Sequence, residues 1–271
     1  MRRPIKSMVA LPTLVTLGNT FCGFLAATYL VQAAVHFGAS GGQEAVDPQV
    51  YHYLVRAVWA IFLAMVFDFM DGKVARLTGS ESNFGVQIDS LSDCLSFGVV
   101  PALMFKVLAE YEFGMSPKGA LVLACFYLFG AVLRLARFNL EADTENDDHK
   151  SFKGLPSPAA AAGVASIVYL YASRYEPNWD SAIGHAFPWI VTTLGILMWT
   201  KLPYIHFANT LLTEKRQPWQ LLAIIGGIAI VAIEPEISIP VLMMAYALSG
   251  PTLYVWNLLT GRSTVDGESI L

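Results

Sequence analysis

Eight apolar stretches set the terms for this 271-residue chain, at about residues 11–37, 53–77, 85–109, 118–140, 155–172, 182–201, 219–233 and 239–259. Stretches of roughly 17–25 residues cross a bilayer as helices, and the seventh is the shortest of the eight. The expected fold class is therefore all-α, a polytopic membrane helix bundle whose spans are joined by polar connectors. Composition agrees: 55% of the residues are hydrophobic and 14% charged, less charge than a soluble domain of this size carries. The net charge of -4 argues against a nucleic-acid partner. The first apolar run is too long for a secretory leader and lacks a clear cleavage site, so it is expected to stay as a span.

Against that background the acids in the second and third spans stand out. The stretch DFMDGKVARLTGSESNFGVQIDSLSD places Asp68, Asp71, Asp89 and Asp93 inside two segments that otherwise read as membrane helices. Asp68 and Asp71 are three apart, and Asp89 and Asp93 four apart, so each pair shares one helix face. The short polar turn LTGSESNF makes the two helices antiparallel neighbours, with both pairs one to two turns deep. Four converging carboxylates in a low-dielectric slab cannot all stay ionised alone; they are protonated, or divalent cations neutralise them. Oxygen-only ligands favour hard ions such as Mg2+ or Mn2+. Two such ions side by side can clamp a pyrophosphate and polarise a phosphoryl group. Arg76 adds a fixed positive charge suited to phosphate oxygens, and Gly72 leaves room for close approach to the backbone. A structural charge network or an ion pathway, such as that of a divalent-cation transporter, is the competing reading. A transporter, however, would hold its acids near mid-bilayer on broken helices, whereas these lie close to one face.

Elsewhere the sequence offers fewer chemical groups. The first span opens with Thr13, Thr16, Asn19 and Thr20, either hydroxyls bonding back onto the helix or groups facing a ligand. Arg134 and Arg137 lie three apart in an apolar helix end, where a buried charge wants a partner. Cys22, Cys94 and Cys125 sit in apolar runs without paired spacing and read as small buried hydrophobes. The five histidines are scattered near segment ends and carry no assigned chemistry. Thirteen of the seventeen basic residues fall on the side of the N-terminus, with Arg56, Lys106, Lys118 and Arg174 toward the other. By the positive-inside rule both termini and the acids then face the cytoplasm.

The spacing Asp68-x2-Asp71-Gly72-x2-Ala75-Arg76-x8-Gly85-x3-Asp89-x3-Asp93 matches position for position the signature of the CDP-alcohol phosphotransferase family, which the chain resembles. Within that family LPTLVTLGN, RLARFN and FKGLPSPAAAAG are similar to the membrane-embedded members whose acceptor is L-serine. The resemblance implies a six-helix core, extended here by two further C-terminal spans. It divides the chain into a cytoplasmic stub at residues 1–10, a catalytic membrane core at 11–201, and a connector, two spans and a tail at 202–271. It implies a metal-dependent transfer of the phosphatidyl group from CDP-diacylglycerol to the L-serine hydroxyl, with release of CMP. Two divalent cations, Mg2+ or Mn2+, would be held by Asp68, Asp71, Asp89 and Asp93. Asp93 would be the general base, and Gly72, Arg76, Ser82 and Asn19 would contact CDP-diacylglycerol. Arg134, Arg137 and Lys153 are the candidates for the acceptor's carboxylate. Glycerol phosphate, inositol phosphate or choline are the alternative acceptors within the same family. A homodimer in the cell membrane, in contact with membrane lipid, completes what the resemblance implies.

Overall fold

The structure, a computed structural model, describes residues 10–39, 48–78, 83–144, 154–173, 177–202, 204, 226–227 and 231–260. All regular structure among these residues is helical: α1 (Ala10–Ala39), α2 (Pro48–Thr78), α3 (Asn83–Asp93), a π-helical turn (Cys94–Val99), α4 (Val100–Tyr111), α5 (Pro117–Thr144), α6 (Ser157–Ser173), α7 (Pro177–Trp199) and α8 (Pro235–Thr260). Among the described residues, six segments are long and apolar enough to cross a membrane. They lie in α1, α2, the joined α3–π–α4 unit, α5, α7 and α8. A helix satisfies all its backbone groups internally, which is why an apolar chain of this kind adopts it in lipid. The expected polytopic helical bundle is thus what forms. Most of the stretch expected as a seventh span, residues 219–233, lies outside the described residues.

In α1 the direction of packing is set by polar rather than apolar groups. Leu14, Leu17, Phe21, Phe24, Val31 and Val35 form an exposed stripe at helical spacing, while Thr16, Asn19, Cys22, Ala26, Leu30 and Ala33 are buried. Both faces are largely apolar, as expected where the surroundings are lipid and burying hydrocarbon gains little. Thr16 and Asn19 point inward, where the interior offers them partners, whereas the exposed Thr28 bonds back to the Phe24 carbonyl of its own helix at 2.9 Å.

The 17-residue apolar helix α6 is the hub. It packs against α2, α4, α7, α8 and the π turn, and its run Ala160–Ile167 is buried throughout. Its alanines and glycine let neighbours approach closely; a Cβ on Gly163 would meet Met244 of α8 at 3.0 Å and Leu194 of α7 at 3.1 Å. The α5–α7 contact is closer still, since a Cβ on Gly130 would lie 2.5 Å from the carbonyl oxygen of Gly195. Cys22 is buried, Cys94 and Cys125 are half-buried, and all three are free thiols, in keeping with their reading as small apolar fillers.

The third span is the one place where local geometry departs from a continuous α-helix. The π turn after Asp93 closes with the Val100 amide bonded to the Leu95 carbonyl, a five-residue step. A π turn leaves neighbouring carbonyls poorly served, and the fully buried Tyr127 hydroxyl of α5 donates to the Phe97 carbonyl at 3.1 Å. Nothing in the hydropathy pattern marks this turn, because one inserted residue does not interrupt an apolar run.

Candidate active site

The acidic side chains converge where α2 and α3 meet α1. One carboxylate oxygen from each of Asp68, Asp71 and Asp89 lies within 4.8 Å of the others. Asp93, four residues on from Asp89 in the same helix, lies beside Asp68. Asp71 and Asp93 are buried, and Asp68 and Asp89 half-buried. The three- and four-residue spacings read from the sequence therefore do bring the pairs onto facing helix surfaces at one depth.

Helix α1 supplies the partners that hold this arrangement. The Asn19 amide, fully buried, donates to Asp93 Oδ1 at 3.1 Å. The Thr16 hydroxyl stands beside Asp71 and donates to the Pro12 carbonyl of its own helix at 3.1 Å. Thr20 and Ser92 share a hydroxyl–hydroxyl bond of 2.6 Å, and Ser96 donates to the Asn19 carbonyl at 3.1 Å. Helices α1 and α3 are thus zipped by hydroxyls on either side of Asp93. The zip demands a close approach: a Cβ on Gly23 would stand 2.3 Å from Ser96 Oγ and 3.1 Å from Ser96 Cα. A second tie comes from α5, where Asn139 and Ser90 exchange hydrogen bonds of 2.9 and 3.1 Å.

Both readings of the polar start of α1 hold a part of the outcome. The threonines bond back onto their own helix, and Asn19 and Thr16 also reach the acids. Asn19 was expected against the liponucleotide; its Nδ2 donates to Asp93, while its buried Oδ1 makes no hydrogen bond within the protein. The signal for Ser92 and Ser96 lay in the sequence as two hydroxyls four apart beside Asp93, matching Thr16 and Thr20 four apart in α1.

The other expected site residues are placed unevenly. Gly72 lies on the exposed side of α2 directly after Asp71. The Arg76 backbone continues the helix, but its side chain, like Ser82 and Lys153, falls outside the described residues. Arg134 is 8% exposed, its Nη1 donates to Ser157 Oγ at 2.8 Å, and its charge acts on Asp93 and Asp68. Arg137 turns away to the end of α7, donating to the Trp199 carbonyl at 2.9 Å and the Thr200 carbonyl at 3.3 Å. That is C-terminal helix capping by a cation. The two arginines read together from the sequence therefore do different work.

The acids fit a hard cation on an observation of their own. Asp71 Oδ2 and Asp89 Oδ1 are buried and have no hydrogen-bond partner. A buried carboxylate oxygen left so costs free energy unless something positive binds it. Three converging oxygen donors with two such orphans, and no thiol or imidazole among them, suit a divalent ion of the Mg2+ or Mn2+ kind.

Comparison with known sequences matches this arrangement to a class. The profile of the CDP-alcohol phosphatidyltransferase family covers residues 9–201, and the chain belongs to that family. It is an integral membrane enzyme of that kind. Over 91% of its length it is 32% identical to a CDP-diacylglycerol–serine O-phosphatidyltransferase of Helicobacter pylori, covering 92% of that protein. The enzyme of the same name from Mycobacterium tuberculosis is 31% identical over 76% of this chain and 71% of its own. An archaetidylserine synthase of Methanothermobacter thermautotrophicus is 30% identical over 74% and 72% respectively.

Proposed function

We propose that this protein transfers a phosphatidyl group from CDP-diacylglycerol to the hydroxyl of L-serine, giving phosphatidylserine and CMP. What supports this reading most is a single juxtaposition. Asp71 and Asp89 carry orphaned buried oxygens beside Asp93, which Asn19 holds in place, in a chain similar along nearly its whole length to a serine phosphatidyltransferase.

In this reading Asp68, Asp71 and Asp89, with Asp93 at the edge of the group, hold two divalent cations. When bound, such ions offset charge on the pyrophosphate and on the departing CMP. The protein's own groups do the rest. Gly72, with no side chain, lets the nucleotide approach the α2 backbone, and Arg76 and Ser82 bind its phosphates. The serine hydroxyl oxygen attacks the phosphorus bearing diacylglycerol, the bond from that phosphorus to the CMP oxygen breaks, and Asp93 takes the hydroxyl proton. Asn19 keeps Asp93 aimed by binding one oxygen and leaving the other for this role. Arg134 receives the serine carboxylate.

Residues 11–201 form the catalytic core of this scheme, and the later residues are accessory to it. In this reading the acids and both termini lie at the cytoplasmic face of the cell membrane, an orientation that the positive-inside bias supports, and the protein is a homodimer. The test is purified protein in mixed micelles with CDP-diacylglycerol and labelled L-serine. Phosphatidylserine and CMP should appear in equal amounts, cease with chelator, and return with Mg2+ or Mn2+. Turnover with glycerol phosphate, inositol phosphate or choline in place of serine would overturn the acceptor and keep the reaction class. Metal flux into liposomes without nucleotide turnover would overturn both.

A further inference from the structure

We infer that Tyr127 of α5 is a positioning residue for the transfer: its hydroxyl, bonded to the Phe97 carbonyl, holds the π turn that aims Asp89 and Asp93. The inference rests on the reading above only in giving those acids their work, and it does not depend on which alcohol is the acceptor.

The π turn has a local cause in Pro101. Inside an α-helix a proline ring crowds the carbonyl four residues before it and offers that carbonyl no N–H. Four residues before Pro101 stands Phe97. A wider turn relieves the crowding, and one is present at Cys94–Val99, directly after Asp93. The Phe97 carbonyl has thereby lost its α-helical donor, and the Tyr127 hydroxyl donates to it from the neighbouring helix at 3.1 Å. Both side chains are fully buried. Helix α5 fits closely over the same turn, since a Cβ on Gly98 would meet Leu128 at 3.2 Å and Ala131 at 3.5 Å.

The consequence falls on α3. On the far side of the turn α4 is anchored, with Val100, Pro101, Ala102, Met104 and Phe105 all buried. Of the α3 side chains from Phe84 on, only Ser92 and Asp93 are buried. The rotation of α3 about its axis is therefore set at the turn more than by packing of its own. A π turn holds one residue more than an α turn, so closing it would rotate α3 by roughly 100° against α4. Even part of that rotation would carry Asp89 away from Asp68 and Asp71, whose oxygens lie within 4.8 Å of its own. Ser96 ties the turn to α1 through the Asn19 carbonyl at 3.1 Å, and Tyr127 is the matching tie to α5.

The experiment compares Tyr127→Phe, Pro101→Ala and the double variant with wild type. It reads CMP release, Mn2+ affinity by electron paramagnetic resonance, and melting temperature. Tyr127→Phe should lower kcat and weaken Mn2+ binding, each on the order of 10-fold, as for other groups that orient a site from outside it. Its melting temperature should fall as well. Pro101→Ala alone should stay near wild type in kcat and Mn2+ affinity, because Tyr127 still holds the turn. The double variant separates positioning from simple stability. The amide that Pro101→Ala introduces can serve the Phe97 carbonyl in α geometry, so the melting temperature should recover while kcat and Mn2+ affinity stay low. Should Tyr127→Phe alone fail to fold, the double variant against Pro101→Ala gives the same comparison. Recovery of kcat and Mn2+ affinity along with stability would show that Tyr127 only satisfies a carbonyl, and overturns the inference. Full activity and Mn2+ affinity in Tyr127→Phe does the same. A wild type that uses another acceptor overturns the serine reading and leaves this inference standing. A wild type that binds Mn2+ but releases no CMP with any acceptor overturns the transfer, and the role of Tyr127 with it.

Discussion

The two ends of the bundle solve the problem of buried polar groups in opposite ways. At the end away from the acids, aromatic rings close the structure: Phe37 stacks on Tyr111 at 5.8 Å, and Phe113 meets Tyr171 edge-on at 5.3 Å. The acids there have protein partners, Glu110 with Lys106 at 2.5 Å and Glu112 with the Tyr171 hydroxyl. At the other end Asp71 and Asp89 keep orphaned oxygens although hydroxyl-bearing helices surround them. At one end each of these acids has a cationic or phenolic partner of its own, and at the other several carboxylates face one another. Sites built for chemistry commonly carry such local imperfection, because groups satisfied internally have nothing left for substrate.

Changes at the acid end should therefore strike activity first and stability second, and changes at the aromatic end the reverse. The largest effect is expected from Asp93→Asn. Turnover should fall by about 10^2–10^4-fold, the usual contribution of a positioned general base, while CDP-diacylglycerol binding followed by equilibrium dialysis persists. A variant with full activity would remove Asp93 from that role.

Next comes Gly23→Ala. Its Cβ would intrude on Ser96 Oγ at 2.3 Å and on the π-turn backbone at 3.1 Å. Overpacking of this kind costs roughly 1–3 kcal/mol, and pushing α1 off the π turn also disturbs the Asn19–Asp93 bond. Both the denaturation midpoint and kcat should fall. A loss of stability with kcat intact would mean the hydroxyl zip does not align Asp93.

Asn19→Ala should lower kcat by about 10–100-fold, the range seen for partners that orient a reactive or metal-binding group. Stability should change little, since removing the amide also frees a carboxylate that a cation can hold. The smallest effect on activity is expected from Tyr171→Phe at the opposite end. It should cost about 1–3 kcal/mol by leaving Glu112 less well paired, visible in thermal unfolding in detergent, with kcat and both KM values unchanged. If instead kcat fell, the two ends would be coupled and the contrast between them would fail.

Much of this molecule was legible in its sequence for a local reason. Helical spans follow from apolar runs within one segment, and Asp68/Asp71 and Asp89/Asp93 share faces because three- and four-residue steps do so on any helix. A short turn then leaves the two faces little choice but to meet. The central position of α6 was less legible. In lipid an apolar run looks the same whether it is enclosed or exposed, and only its alanines and glycine hinted at close neighbours.

What the sequence by itself determined is the set of helices and the pairing of acids along them, both properties of near neighbours in the chain. Only the tertiary structure decided which distant groups those acids meet. Asn19 lies 74 residues from Asp93, and Thr20 lies 72 from Ser92, the neighbour of Asp93. Such meetings depend on how each helix is rotated about its axis and where it crosses its neighbours. In a membrane, where hydrocarbon surrounds the bundle on every side, that rotation is fixed by small residues and hydroxyls finding one another rather than by any pattern of hydrophobicity.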